Sequence, residues 1–150
     1  MTKPLNDPAA FVFLNEVAII EHLARTAAER VLPSGLSLAG FTVLNHMIRM
    51  RHERRAPAQI ANAVQVTKGA MTGTLKRLEA EGWISVTPDP DDGRGKVVTL
   101  TAEGRAIRET ALKVLAPEFA PVQRAVSDDE MRLALPILQK VRAALDAARD

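Results

Sequence analysis

The sequence of 150 residues contains no cysteine. This absence excludes disulfide bonds, a thiolate nucleophile, cysteine-based zinc sites and redox sensing by thiols. Long apolar runs are missing as well, since none approaches the roughly 20 residues that a membrane-spanning helix needs. The N-terminus also lacks the basic and then apolar pattern of a signal peptide. We therefore expect a cytoplasmic protein that has no contact with a membrane.

Signatures of the common enzyme classes are also absent. The sequence has no nucleophile elbow, no glycine-rich loop that would cradle phosphates and no HExxH zinc motif. Its four serines fit loop, cap or strand positions. Two acidic pairs are explained without catalysis, since Asp91–Asp92 fits a turn and Asp128–Asp129 fits a helix cap. We therefore expect no catalytic residue, no cofactor and no metal site.

The composition is that of an ordinary globular protein, with 47% hydrophobic and 25% charged residues. A chain of this length suits one domain, or one domain with appended helices, and it can bury a real core. The net charge is only +2, but residues 49–108 carry eleven lysines and arginines against seven acidic residues. The segments on either side each have one acidic residue in excess. A positive middle third is consistent with binding to phosphates.

The first third of the chain predicts two helices. Apolar residues at three- and four-residue spacing indicate a long helix over residues 8–31, with Pro8 in its first turn. The residues of this stripe are Phe13, Val17, Ile20, Ala24, Ala27 and Val31. A loop follows at residues 33–35, and Ser37 is a suitable N-cap for a second helix over residues 38–52. The inward-facing residues of the second helix are predicted to be Phe41, Leu44, Met47 and Ile48.

The middle of the chain predicts two helices separated by a tight turn. Pro57 suits the first position of a helix over residues 57–64, and its buried side is formed by Ile60, Ala61 and Val64. Thr67 is a good N-cap for the next helix, which runs to Glu81 before the C-terminal stop at Gly82. The core-facing residues of this fourth helix are Met71, Leu75 and Leu78. The pair is typical of a helix-turn-helix.

A β-hairpin follows directly. Residues 83–87 and 97–101 are short β-prone runs in which apolar and polar residues alternate, which predicts two strands. Pro88 and the tip at residues 89–96 interrupt pairing, so we expect a wide hairpin. A hairpin behind a helix-turn-helix is the outline of a winged helix, which places one helix in the DNA major groove and reaches the flanking backbone or minor groove with the hairpin. The predicted fold is mainly α with a small β-hairpin wing.

The last third of the chain predicts further helices. Thr101 caps a fifth helix, which Pro117 and Pro121 should kink or end. Residues 127–130 form a capping box that opens the last helix, and Pro136 predicts a bend in it. The apolar stripe of this last helix consists of Met131, Leu135, Leu138, Val141, Ala144 and Leu145. The stripes of the terminal helices need a partner, for which a second copy of the chain is the simplest choice and folding back onto the same chain is the alternative.

One face of the fourth helix is small and rich in hydrogen-bond donors. Small residues let a helix approach base edges closely, while hydroxyl and ammonium groups donate to bases and phosphates. The alternative is an ordinary helix face in contact with solvent. The two glycines of the fourth helix argue against it, because each costs about 1 kcal/mol relative to alanine in a helix interior. We interpret this element as a recognition helix. Its candidate DNA-binding residues are Thr67, Lys68, Gly69, Thr72, Gly73, Lys76 and Arg77.

The tip of the hairpin carries further candidates. Arg94 projects at the tip, where a planar guanidinium suits a narrow minor groove or a phosphate, and Lys96 adds a second cation. Asp92 can accept hydrogen bonds from turn amides or from Arg94, while Gly93 and Gly95 allow tight backbone paths. A solvated loop arginine is the alternative in isolation. Behind a helix-turn-helix, we assign Arg94 and Lys96 to DNA binding and Asp92 to their support.

Five runs of sequence, in this order, resemble the MarR (multiple antibiotic resistance regulator) family. They are PAQIA at 57–61, TKGAMT at 67–72, LEAEGWI at 78–84, DPDDGR at 89–94 and LTAEG at 100–104. The resemblance implies a homodimer whose terminal helices form the interface and whose two winged helices bind a pseudo-palindromic operator. It usually implies repression that is relieved by a small anionic compound, often phenolic or aromatic.

The resemblance also implies roles for single residues. Arg94 would be the wing-tip arginine and Asp92 its supporting aspartate. Ala56 departs from the pattern, because the family has a hydroxyl or aspartate cap before Pro57, and this weakens the helix start slightly. The expected organisation is a single MarR-like chain over residues 1–150. Its winged-helix lobe covers residues 36–101 and its dimerisation helices cover 8–32 and 102–150.

An effector pocket is the least specific expectation. In the family, ligands commonly lie in a crevice between the dimer arms and the DNA-binding lobe. The candidates to line it here are His22, His46, Met47 and Met50, through imidazole pairing with a carboxylate and adaptable methionine packing. Ordinary surface or core-edge histidines are the alternative, and a zinc site of Glu21 and His22 with His46 and His52 is a poor candidate. A winged-helix module that binds only proteins also stays open, and steep salt dependence of DNA binding would exclude it.

Overall fold

The computed structural model describes residues 6–149, which contain seven α-helices and three β-strands. The chain divides into two compact units that meet in sequence between Leu115 and Ala116. The first unit contains α1 (Ala9–Val31), α2 (Leu38–Arg49), β1 (Arg54–Arg55), α3 (Pro57–Val64), α4 (Lys68–Ala80), β2 (Ile84–Pro88), β3 (Lys96–Leu100) and α5 (Ala102–Leu115). The second unit contains a 3-10 turn (Ala116–Phe119), α6 (Ala120–Ala125) and α7 (Asp128–Ala147). None of the helices in residues 6–149 is both long enough and apolar enough to cross a membrane.

The first two helices follow their predicted caps, but their bounds differ from the prediction. α1 begins one residue late, because Pro8 has the extended ψ of 136° and acts as the N-cap. Ser37 caps α2 as predicted, and its Oγ accepts a hydrogen bond from Gly40 N at 3.0 Å. The predicted end of α2 is wrong. The helix stops at Arg49, because Arg51 adopts a left-handed φ of 56° and the backbone bonds back onto the last turn.

The sheet has three antiparallel strands in the order β1–β3–β2, so the two-stranded hairpin of the sequence prediction is incomplete. The added strand is Arg54–Arg55, which pairs with Thr99 and Val98. Pro88 does not interrupt pairing as expected, since it ends β2 opposite Lys96. Proline is tolerated there because β2 is an edge strand. The predicted class, mainly α with a small β wing, is confirmed.

The core of the first unit lies between α2, α3, α4 and the sheet. Its fully buried large side chains are Val43, Leu44, Met47, Ile60, Ile84 and Val98. Met71, Leu75 and Leu78, the predicted core face of α4, are all buried. α5 packs against α2 and buries Ala111 and Leu115. These contacts anchor α4 by one face and leave its opposite face at the surface.

A tight junction joins the end of α4 to the start of α5. Gly82 has a left-handed φ of +76°, and Trp83 N donates to Leu78 O at 3.0 Å, which is the helix stop that the sequence predicts. Thr101 caps α5 as predicted by accepting a hydrogen bond from Gly104 N at 3.0 Å, and its hydroxyl donates to Gly82 O at 2.8 Å. A Cβ on Gly104 would lie only 2.1 Å from Trp83 O. The chain therefore approaches itself here too closely for any side chain.

The second unit follows its local sequence signals. α5 ends ahead of Pro117, and Pro121 lies in the first turn of α6. Ser127 and Glu130 form the predicted capping box, in which Glu130 N donates to Ser127 Oγ at 3.1 Å and Ser127 N donates to Glu130 Oε2 at 2.8 Å. α7 runs on through Pro136, and the bend expected there stays a prediction.

The two terminal helices expose large apolar side chains. α1 buries only Ala28, and part of its predicted stripe lies at the surface, with Ile20 62% exposed. α7 has no buried residue, and Leu133 is 75% exposed. Other exposed apolar residues of these helices are Phe11, Leu14, Leu23, Leu135, Ile137 and Leu138. Each helix therefore presents an apolar face to solvent in the single chain.

Candidate nucleic-acid interface

The candidate recognition helix, α4, begins at a well-formed cap. Gln65 adopts a left-handed φ of 63° at the end of α3 and turns the chain toward α4. Thr67 is the N-cap, and its Oγ1 accepts a hydrogen bond from Ala70 N at 3.2 Å. The first turn of α4 therefore lies at the surface with its backbone donors partly satisfied from within the chain.

The outer face of α4 carries the side chains that the sequence assigns to DNA. Thr67, Lys68, Gly69, Thr72, Lys76 and Arg77 are exposed, and Gly73 is half-buried. The hydroxyl of Thr72 donates to Lys68 O at 2.9 Å, so its proton is used within the helix. Arg77 Nη2 donates to Thr74 Oγ1 at 3.5 Å and lies along its own helix. Within residues 6–149, Lys68 and Lys76 form no ion pair, which leaves both ammonium groups available to phosphates.

The two glycines of α4 have no packing role inside the chain. A Cβ at Gly69 would meet nothing within 4 Å, and one at Gly73 would meet only Arg77 Nη1 at an ordinary 3.6 Å. Neither position has the positive φ that favours glycine. Glycine weakens a helix, and neither backbone conformation nor packing within the described residues accounts for it at these two positions.

The wing comprises β2, residues 89–95 and β3. Two aspartates hold its tip in place. Asp92 Oδ1 accepts a hydrogen bond from Arg94 N at 3.1 Å, and Asp89 Oδ1 accepts one from Asp91 N at 2.9 Å. Asp89 N also donates to Gly95 O at 2.9 Å and closes the loop at its base. These side-chain bonds are typical of Asx turns. The loop that carries Arg94 is therefore ordered by bonds within the wing.

The wing-tip glycines behave differently from the sequence expectation. Neither Gly93 nor Gly95 has a positive φ, so the backbone path does not require glycine at either position. Arg94 and Lys96 are exposed, and neither forms an ion pair within the described residues 6–149. Both cations therefore face outward from a loop whose carboxylates bond to backbone amides.

A cleft of about 410 Å³ lies between α3, the start of α4 and the wing. Its lining brings together Lys68 and Thr72 from α4 with Arg94 and Lys96 from the wing. Asp92 lies on the same wall. Five predicted site residues are therefore adjacent across a concave surface. The other predicted residues of α4, namely Thr67, Gly69, Gly73, Lys76 and Arg77, do not line this cleft.

The candidate effector residues do not share one environment. His22 and Met50 are exposed on the outside of α1 and at the end of α2, whereas Met47 has 0% exposure and belongs to the core. His46 is half-buried, and its Nε2 has no hydrogen-bond partner among the described residues. None of the four lines the cleft described above. Their role in binding an effector stays a prediction.

His46 lies in a small group of nitrogen-bearing side chains. Its ring centroid is 6.1 Å from that of His52, and His52 Nε2 is hydrogen-bonded to the guanidinium of Arg55. Burial lowers the pKa of His46, and the charge of Arg55 and the neighbouring His52 lower it further. Within residues 6–149, no group of three or more histidine, aspartate or glutamate side chains lies close enough together to hold a metal ion.

The lowered pKa of His46 predicts a loss of stability in mild acid. The unfolded chain binds a proton at His46 near its ordinary pKa of about 6.5, whereas the folded chain resists protonation until a lower pH. The stability that this group contributes is therefore present above about pH 6.5 and is lost as the pH falls toward the folded pKa.

Between about pH 7.5 and 5.5, the melting temperature should decrease less for His46→Gln than for the wild type. His22→Gln, at an exposed position, is the control and should follow the wild type. The same pH dependence in His46→Gln and wild type would contradict the assignment.

The chain is similar to known proteins of one family. Residues 34–95 match the family model of the MarR family. The chain belongs to the MarR family. The transcriptional repressor YetL of Bacillus subtilis is 28% identical over 116 residues, which cover 77% of this chain and 70% of YetL. The multiple antibiotic resistance protein MarR of Escherichia coli is 27% identical over 124 residues, which cover 80% of this chain and 86% of MarR.

A solved structure of the same family shows the same fold. The crystal structure of a single-site mutant of Escherichia coli MarR, complexed with operator DNA, matches this chain with a TM-score of 0.71 at 24% identity. The match covers 90% of this chain and 99% of the MarR chain. The winged-helix arrangement of this MarR-family chain is therefore that of a structure known in a DNA complex.

Several contacts of this MarR-family site were not predicted from the sequence. Gln59 Oε1 accepts a hydrogen bond from Ala56 N at 3.2 Å, which offsets the missing side-chain cap at the start of α3. A glutamine three residues after a cap position is a signal that could have indicated it. Asp89 could have been found in the same way as Asp92, from its place at a turn. The bond from Val86 N to Glu79 Oε2 at 2.7 Å has no local sequence signal.

Proposed function

We propose that this chain is a sequence-specific transcriptional regulator that binds a pseudo-palindromic DNA operator as a homodimer. α4 enters the major groove, and Arg94 at the wing tip reaches the flanking minor groove or backbone. Action on chromosomal DNA makes the cytoplasm the compartment of this function. The candidate contacts are Thr67, Lys68, Gly69, Thr72, Gly73, Lys76, Arg77, Arg94 and Lys96, with Asp92 as support for the wing.

The observation that carries the proposal is the cleft between α4 and the wing. Lys68, Arg94 and Lys96 approach it from two elements, and Thr72 also lines it. Asp89 and Asp92 line the same cleft, but both carboxylates accept hydrogen bonds from loop amides, and the three cations outnumber them. An excess of cations on a concave surface favours the approach of phosphates. The smooth glycine positions on the adjoining face of α4 allow close approach to base edges. The positive charge of the cleft and the smooth face of α4 therefore both support a DNA duplex as the partner.

The exposed apolar faces of α1 and α7 support a dimer. α7 spans 20 residues and buries none of them, although helical stability in proteins comes mostly from packing of an apolar face. A second copy of the chain offers the same faces, and two-fold symmetry is the commonest way to cover them. Two winged helices related by such symmetry fit two half-sites roughly 10 bp or a multiple apart.

Repression relieved by a small organic effector is the regulatory part of the proposal. It rests on membership of the family, in which relatives of this chain are transcriptional repressors. An aromatic or phenolic anion is the proposed effector class, and the exposed His22 and Met50 and the half-buried His46 are its candidate contacts. The fully buried Met47 would contribute only by supporting them from the core.

The decisive experiment selects DNA fragments from the organism's genome with the purified chain and measures their binding by fluorescence anisotropy at several salt concentrations. Specific binding should weaken log-linearly with salt, by roughly 10³-fold or more between 50 and 200 mM if six to ten phosphates are contacted. Sedimentation should show a dimer, and footprinting should show two symmetric half-sites. A monomer that retains no fragment at low salt would contradict the proposal.

A further inference from the structure

The recognition helix and the wing are joined by a carboxylate. Glu79 lies in the last turn of α4, and its Oε2 accepts a hydrogen bond from Val86 N in β2 at 2.7 Å. β2 is an outer strand of the sheet, so the N–H that Glu79 binds belongs to an unpaired strand edge. A charged acceptor gives a shorter and stronger bond to an amide than a neutral one. The bond therefore ties the outer edge of the wing to α4.

The Glu79 contact lies between the buried base of the wing and its tip. Trp83 and Ile84 are buried and fix the start of β2 in the core. Val86 is half-buried, whereas Thr87 and Pro88 beyond it are exposed. Within residues 6–149, no hydrogen bond joins Thr87 or Pro88 to α4. Among the hydrogen bonds of the described residues that join α4 to β2, the bond between Val86 N and Glu79 Oε2 is therefore the one that lies furthest along the strand toward Arg94.

We propose that Glu79 is a positioning residue that fixes the wing relative to α4, so that Arg94 and the recognition helix meet one duplex together. The inference rests on the DNA-binding function proposed above. Two elements that bind one rigid ligand gain affinity when their relative position is set in advance, because less ordering is needed on binding. Glu79 is an anion and gains nothing from phosphates directly, so its contribution passes through the wing.

A double-mutant cycle between Glu79 and Arg94 tests this, with operator affinity measured by fluorescence anisotropy. Glu79→Ala should weaken binding by roughly 5- to 30-fold, because the dimer loses one net hydrogen bond at each of its two wings. In a chain that already carries Arg94→Ala, Glu79→Ala should lower the operator affinity by less than about twofold, because a wing without its arginine gains little from being held in place. Glu79→Gln keeps a carbonyl oxygen that can accept from Val86 N and should stay within about twofold of the wild type.

Glu81→Ala is the matched control. Glu81 is exposed and forms no hydrogen bond to the wing within residues 6–149, so its substitution removes the same charge from the same end of α4. Equal losses from Glu79→Ala with and without Arg94 would overturn the inference. A shared gain in affinity for Glu79→Ala and Glu81→Ala would also overturn it, because charge alone would then explain the effect. A wild-type chain that binds no fragment would instead contradict the proposed function, before any variant is measured.

Discussion

Arg94→Ala should weaken operator binding by roughly 30- to 150-fold. A guanidinium contact to a base edge or phosphate contributes about 1–1.5 kcal/mol, and a dimer carries two wings, so the loss is about 2–3 kcal/mol. Arg94 is held through its backbone, whose N–H donates to Asp92 Oδ1 at 3.1 Å. Its side chain forms no ion pair within residues 6–149. Removing the guanidinium should therefore leave the dimer and its melting temperature unchanged.

The measurement is fluorescence anisotropy across a salt series, with sedimentation of each variant. The slope of log affinity against log salt should decrease by about one to two units if the guanidinium contacts phosphates in both half-sites. Lys113→Ala is the control, since Lys113 is an exposed cation of α5 that does not line the cleft. It should stay within about twofold of the wild type. Equal affinity of Arg94→Ala and wild type would remove the wing from the mechanism.

The parts of the fold that follow from the sequence are those with local signals. The N-cap at Thr67 and the left-handed stop at Gly82 depend on residues a few positions apart, so a single sequence reveals both ends of α4. The capping box at Ser127 and Glu130 is equally local. The core face of α4 follows from helical periodicity alone.

The parts that were missed depend on contacts distant in sequence or on unusual backbone. β1 has two residues, and only its pairing with Thr99 and Val98 makes it a strand. α2 was predicted too long because its end is set by Arg51 in a left-handed conformation, which glycine or asparagine normally signals. Arginine at such a position carries no local signal of a stop.

The candidate site shows the same division. Composition and spacing indicate that Lys68, Thr72 and Arg94 belong to a recognition helix and a wing tip. Their arrangement around one cleft is a tertiary property, as is the bond from Glu79 that holds the wing. Met47 shows the limit of periodicity, because an inward helix position can be either a core position or a pocket wall, and here it is completely buried in the core.

Gly104→Ala should destabilise the fold by about 3 kcal/mol and lower the melting temperature by roughly 5–10 °C. The added Cβ would lie 2.1 Å from Trp83 O, a backbone atom that no change of rotamer can move. Relief of the clash requires α5 to shift away from the end of α4. That shift strains the bond from Thr101 Oγ1 to Gly82 O, which joins the start of α5 to the end of α4. Thermal unfolding at one protein concentration measures the effect, because the melting temperature of a dimer depends on concentration.

Gly73→Ala provides the matched comparison, since the same methyl group is added to a glycine that is also in a helix. A Cβ at Gly73 makes only an ordinary contact of 3.6 Å with Arg77 Nη1, so the gain in helix propensity should stabilise the fold by about 0.5–1 kcal/mol. Operator affinity should nevertheless decrease, because the added methyl group stands on the face of α4 that approaches the bases. A variant that is more stable and binds DNA less well would assign Gly73 to the interface and Gly104 to the fold. Unchanged affinity in Gly73→Ala would contradict close approach at this position, and an unchanged melting temperature in Gly104→Ala would contradict the tight junction between α4 and α5.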